Sequence, residues 1–187
     1  MVIAAPVLLE SLQSLAVRLV MAGTKVALVG PAGCGKSVVP RAVVDAGRRR
    51  FGNRGVLVLA WVGSAAQPVD RATVSSVLRT PVANQSKETI LWWRFGNPTA
   101  RDELRAVRMV VIDEAPTIQG RWKARLEFVL RKVAPSPSRE LLPFGGRHVL
   151  GKSHLLPSYL VALCWYLFAS ARHLCLTLSP RWLLLPP

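Results

Sequence analysis

Residues 26–39 read Val26-Ala-Leu-Val-Gly30-Pro-Ala-Gly-Cys-Gly-Lys36-Ser37-Val-Val39, an apolar run that breaks into a glycine-rich loop. Its first four residues are apolar and have the length and character of a buried strand. Gly30, Pro31, Ala32, Gly33, Cys34, Gly35, Lys36 and Ser37 then fit G-x-x-x-x-G-K-[ST], a phosphate-cradling loop. Glycines let successive backbone N–H groups turn inward without a Cβ in the way. Lys36 is placed to reach the β- and γ-phosphates of a nucleotide, and the Ser37 hydroxyl to hold Mg²⁺. The helix expected from about Gly35 to Ala46, ending at Gly47, would aim its positive end at the same phosphates.

The second half of such a site is a carboxylate at the end of a neighbouring strand. Met109-Val-Val-Ile112 is a second apolar run, and it ends in Asp113-Glu114. Two adjacent carboxylates at the end of a buried strand are costly unless a cation sits there. Asp113 is therefore the candidate second metal ligand, and Glu114 the candidate base that orients and deprotonates an attacking water. Together these residues imply hydrolysis of a nucleoside triphosphate, with ATP and Mg²⁺ as the bound pair.

Outward from these two blocks the chain alternates strands and helices. Val56–Ala60 lacks polar alternation and reads as a strand buried on both faces, as in a parallel sheet. Leu8, Leu12, Leu15 and Leu19 recur at helical spacing before Gly23, with Gln13 on the more polar side. Ala72 to Leu78 fits a short helix, and Thr99-x-x-Asp102 a helix start running to Val107. Trp122, Leu126, Val129, Leu130 and Val133 share one helical face, which Pro135 and Pro137 terminate. His148-Val-Leu150 begins a further strand. The pattern is that of an α/β protein with a doubly wound parallel sheet.

The chain has 187 residues, with 25 Lys+Arg against 10 Asp+Glu and a net charge of +15. That excess favours a polyanion such as nucleic acid as partner. Cys34, Cys164 and Cys175 are too few and too scattered for a disulfide framework or a zinc site, which fits an intracellular setting. The N-terminus has no basic n-region and Glu10 interrupts its apolar run, so no signal peptide is read. Leu155 to Ala171 carries no charge but sits at the lower edge of membrane-spanning length and contains Pro157, so a membrane anchor is not expected.

Four blocks together resemble the Pif-type DNA helicases of superfamily one, particularly the helicase segment of Helitron-type transposable elements. Val29 to Ser37 is similar to the family's motif I, with Cys34 where Thr is usual. Leu59 to Ala66 resembles motif Ia, with Trp61-Val62 in place of Pro-Thr. Val111 to Pro116 resembles motif II in its DEAP variant, and Pro143-Phe-Gly-Gly146 with His148-Val-Leu150 resembles the segment before motif III. Gln13 lies 17 residues before Gly30, the spacing of the family's Q motif, and by resemblance would read the adenine edge. The resemblance implies a RecA-like ATPase domain over residues 1–150 and 5′-to-3′ movement on single-stranded DNA. It further implies phosphate contacts from Gly63, Ser64, Thr73 and Ser75, the last standing where the family has His. A nuclear setting and roles in DNA repair, recombination and telomere maintenance also follow from the resemblance alone, and no obligate protein partner is evident.

After Leu150 the family's pattern gives way to Gly151-Lys-Ser-His-Leu-Leu-Pro157, and no acidic residue follows Glu140. Residues 151–187 are accordingly read as a non-family tail, a truncated or frame-shifted end rather than a domain. No second RecA-like domain is read in the chain, so the expectation is slow ATP hydrolysis without unwinding. Other readings are a remnant that binds nucleotide or nucleic acid without turnover, a P-loop protein tethered through residues 155–171, and a small-molecule kinase.

Overall fold

The computed structural model describes residues 11–30, 35–60, 72–78, 89, 96–113, 115, 120–153 and 173–177. In chain order the elements are α1 (Ser11–Met21), β1 (Lys25–Val29), α2 (Val38–Phe51), β2 (Val56–Ala60), β3 (Ala72–Thr73) and α3 (Val74–Leu78). They continue with α4 (Pro98–Ala106), β4 (Met109–Ile112), α5 (Gly120–Lys132), α6 (Pro137–Glu140), β5 (His148–Ser153) and β6 (His173–Thr177). The strands form one sheet in the order β3-β2-β4-β5-β1-β6, and every pairing is parallel.

The absence of polar alternation in the strands has a direct cause. Ala27 and Val29 face one core layer, together with Val110, Ile112, Trp122, Leu126 and Leu130. Val26 and Leu28 face the other, together with Ala16, Val20, Val39, Val43 and Val111. Helices thus cover both faces, α1 and α2 on one and α3 to α5 on the other, so both side-chain sets of each central strand are apolar. The doubly wound α/β arrangement expected from the sequence is the one observed.

Several boundaries differ from the sequence expectation. Gly47 does not end α2; the helix runs to Phe51, and Gly52 at φ +75° terminates it. Gly47 lies inside the helix because a Cβ there would come 2.6 Å from Met109 Sδ on β4. It is a close-approach glycine between helix and sheet. α4 begins at Pro98, one residue before Thr99, because Asn97 is the cap: its Oδ1 accepts from the Ala100 N–H at 3.1 Å. On α1 the buried row is Gln13, Ala16 and Val20 rather than the leucines, and Leu12 is exposed. Small side chains let α1 lie close against its neighbours, which turns Gln13 inward.

The Pro143–Gly146 turn is built around a buried cation. Phe144, Gly145 and Gly146 all have positive φ, and a Cβ on Gly145 would lie 2.4 Å from Arg147 Nη1. The Arg147 guanidinium donates to four carbonyls: Val107 (3.0 Å), Leu130 (2.7 Å), Phe144 (3.0 Å) and Leu104 (2.9 Å). One side chain thereby satisfies the carboxyl ends of α4 and α5, where helix carbonyls lack intrahelical partners. Burial, then the like charges of Arg108 and Arg139, lower its pKa to about 10, so it remains charged at neutral pH.

β5 continues beyond Leu150 to Ser153, and five residues of the stretch assigned to a non-family tail, His173–Thr177, form the sixth strand. β6 pairs along the whole of β1, Lys25 opposite His173 through Val29 opposite Thr177, and so covers an edge that would otherwise present unpaired backbone groups.

Replacing Arg147 by Met should lower the unfolding free energy by about 3 kcal/mol, since it leaves buried carbonyls without donors. A urea melt in which this variant matched the wild type would show that the guanidinium is not the clamp.

Candidate nucleotide site

β1 delivers the phosphate-loop residues to the carboxyl edge of the sheet. Pro31, Ala32, Gly33 and Cys34 lie outside the described residues; Gly30 and the Gly35-Lys36-Ser37 end lie within them. Gly35 has φ +77°, a left-handed conformation that favours glycine. Lys36 is buried, whereas Ser37 is exposed, stands at the head of α2 and makes no side-chain capping bond. No acidic residue occupies the first turn of α2, so the partial positive charge of its N-terminus is unopposed within the helix.

Gln13 reaches this loop from α1. A Cβ on Gly35 would lie 2.5 Å from Gln13 Nε2, so the amide occupies the space beside the glycine backbone. The sequence expectation of a Gln on the polar side of its helix is thus corrected: Gln13 is buried, 6% exposed, and it meets the phosphate loop.

Asp113 follows the last residue of β4. Its backbone N–H donates to the Leu59 carbonyl at 2.8 Å, which carries the β2 ladder one step further and fixes the carboxylate at the sheet edge. Ile112 pairs with Gly151, and Leu28 pairs with Lys152. Asp113, Lys152 and Leu28 therefore lie at one level on three successive strands, two residues below Gly30. Strands two apart are separated by about 10 Å, a span that a magnesium-bound triphosphate can bridge. The topology favours this: the chain leaves β1 and steps over the positions later filled by β4 and β5, and ligands of open α/β sheets bind at the carboxyl ends around such a crossover.

Lys152 is the residue that the sequence reading did not single out. Its Nζ lies 2.7 Å from Asp113 Oδ1, with the two side chains 7% and 11% exposed. The available signal was a lone lysine two residues beyond an apolar strand start, in a stretch set aside because it departs from the family pattern.

Glu114, Gly63 and Ser64 lie outside the described residues. Thr73 and Ser75 sit at the far side of the sheet, on or next to β3, about 19 Å from β1 by strand count. Their hydroxyls lie 3.1 Å apart, and Thr73 Oγ1 accepts the Ser76 N–H, so the threonine caps α3. A cavity of about 750 Å³ is lined by Asn53, Leu57, Pro98, Glu103 and Val107 among others. It includes none of Gln13, Lys36, Ser37 or Asp113, and is a groove beside α4 rather than part of this site.

Breaking the buried pair from one side should be costly and breaking it from both sides cheap. Asp113→Asn or Lys152→Met alone should each lower the unfolding free energy by about 3 kcal/mol, while Asp113→Leu with Lys152→Met should stay within about 1 kcal/mol of wild type. Additive losses in denaturant melts would contradict this account of the pair.

The PIF1-like helicase family matches residues 12–153 of the chain. A curated relative, the ATP-dependent DNA helicase PIF1 of Candida albicans, is 28% identical over 141 residues, which is 75% of this chain and 15% of that protein. The crystal structure of the Candida albicans Pif1 helicase superposes with a TM-score of 0.76 at 23% identity, covering 92% of this chain and 40% of that one. Pif1 helicase from Bacteroides, in complex with ADP-AlF3 and ssDNA, gives a TM-score of 0.64 at 15% identity, covering 95% and 43%. The fold is therefore shared with both, and the chain spans less than half the length of these relatives. With a match over most of its length, the phosphate loop at its sheet edge and an aspartate two strands away, this chain belongs to the PIF1-like helicase family.

Proposed function

We propose that this chain supplies the ATP-binding and ATP-hydrolysing RecA-like part of a PIF1-type DNA helicase. The reading is supported by the placement of Gln13 beside Gly35, of Lys36 at the head of α2 and of Asp113 at the end of β4, all toward one carboxyl edge of a parallel sheet. In this reading the backbone of Gly30 to Gly35 cradles the phosphates and Lys36 binds the β- and γ-phosphates. The N-terminus of α2 adds its dipole, and Gln13 orients the base. Glu114 directly follows Asp113 and would position the attacking water and take its proton.

Mg²⁺ is implied by the family. The donors at this edge, the Ser37 hydroxyl and the Asp113 carboxylate, are hard oxygens of the kind this ion takes, but the carboxylate is already paired with the Lys152 ammonium at 2.7 Å, so the set as it stands does not fit the ion. Among the described residues no cluster of three His, Cys, Asp or Glu side chains offers a rival metal site.

Single-stranded DNA is the proposed polymer partner, and by family the movement would be 5′ to 3′. Support comes from the net charge of +15 and from the Bacteroides relative solved with ssDNA. Arg48, Arg49 and Arg50 form the last turn of α2 and add to that field. A nuclear setting and work in repair, recombination or telomere maintenance are proposals from the family alone. No helix among the described residues is long and apolar enough to cross a membrane.

A second reading, nucleotide binding without turnover, is favoured by one observation, the ammonium of Lys152 seated on the carboxylate that would face the metal. Purified full chain should bind a fluorescent ATP analogue, lose at least tenfold in affinity on Lys36→Ala, and hydrolyse ATP slowly in a manner abolished by Glu114→Gln. Binding with no Glu114-dependent hydrolysis would select the second reading. Binding that ignored Lys36→Ala would overturn both. DNA affinity should fall steeply across a salt series, as expected of contacts to phosphates.

A further inference from the structure

We propose that Lys152 is a built-in counter-cation for Asp113, so that this domain takes up a nucleoside triphosphate with little help from a divalent metal. This rests on the nucleotide-site reading above and concerns the ion that the site needs.

The geometry is specific. Lys152 lies on β5, the strand between the phosphate-loop strand and the Asp113 strand. Its register partners put it level with Leu28 on one side and next to Gly151, the partner of Ile112, on the other. Its Nζ is 2.7 Å from Asp113 Oδ1, and both side chains are about nine-tenths buried. An ion pair at that depth is a local arrangement with little solvent screening, unlike a surface contact.

Three consequences follow. A metal approaching Asp113 meets a carboxylate that is already neutralised. It also meets a like charge within a few ångströms, carried by a side chain whose backbone is laddered to β1 and β4. Finally, Lys152 lies on the strand beside β1, level with Leu28 near the start of the phosphate loop, so its ammonium would stand on the side of a bound nucleotide where a divalent cation otherwise serves. Magnesium holds its waters tightly and usually reaches a protein through one or two carboxylates, so a site whose described carboxylate is already paired with an ammonium is a poor host for it.

The test uses the full chain and two probes. In the first arm free Mn²⁺ is titrated without nucleotide and followed by its electron paramagnetic resonance signal. Wild type should bind no more Mn²⁺ than Asp113→Asn, whereas Lys152→Met should bind at least tenfold more tightly, and Lys152→Arg should behave as wild type. In the second arm a fluorescent ATP analogue is titrated in EDTA and in Mg²⁺. Wild-type affinity should change less than threefold, and Lys152→Met should become at least tenfold dependent on the metal. Wild type that already binds Mn²⁺ through Asp113, or that needs Mg²⁺ tenfold or more, overturns the proposal, and neither result depends on the Met variant folding. If the analogue binds under no condition, the nucleotide reading fails, and the Mn²⁺ arm still decides the role of Lys152.

Discussion

The register of three parallel strands is the constraint on which the rest depends. β4, β5 and β1 are locked side by side, Val111 opposite Leu150 and Leu150 opposite Val26. A parallel ladder has no freedom to slip when both its faces are buried, because a one-residue shift would exchange the two core layers. The carboxyl ends of β1 and β4 therefore come to one edge at matching height. Gly30 starts a loop there and Asp113 follows a strand there, and neither could meet a shared ligand if the register changed. The helices hold this arrangement from both sides, with α2 packed so closely that Gly47 has no room for a Cβ against Met109.

A second, independent support lies at the opposite edge. Arg147 gathers carbonyls from the ends of α4 and α5 and from the Phe144 turn just before β5 starts. By tying those ends together it sets the starting point of β5, hence where Lys152 falls five residues later. The PFGG segment is thus structural in this chain: its left-handed turn exists to let a guanidinium pass beneath it. A motif that marked the family in the sequence acts through the placement of a strand.

Much of this was legible in the sequence. Val26 to Ser37 and Met109 to Asp113 announce a buried strand followed by a functional loop, because an apolar run of strand length that breaks into Gly-Lys-Ser or paired acids belongs at the edge of a covered sheet. The face of α5 was legible for the same reason: Trp122, Leu126, Val129, Leu130 and Val133 repeat at helical spacing, and all are buried. What escaped reading depended on tertiary neighbours. Gln13 was named by its spacing to the phosphate loop, but its burial was hidden by a row of leucines that look like the core face, although the smaller Ala16 and Val20 form it. Gly47 imitates a helix stop until Met109 is placed against it. Lys152 and β6 lay in the stretch read from the sequence as a non-family tail, although the family match runs to residue 153, and the pairing partners on β1 and β4 give them meaning.

If the loop after β1 and the end of β4 serve one bound triphosphate, a nucleotide must reach both. Amide hydrogen exchange with and without a non-hydrolysable ATP analogue measures this directly. Nucleotide should slow exchange together in peptides covering Gly30–Val39 and Met109–Asp113, with the carboxyl half of β5 following. Protection confined to one of the two segments, or centred on the groove beside α4, would contradict it.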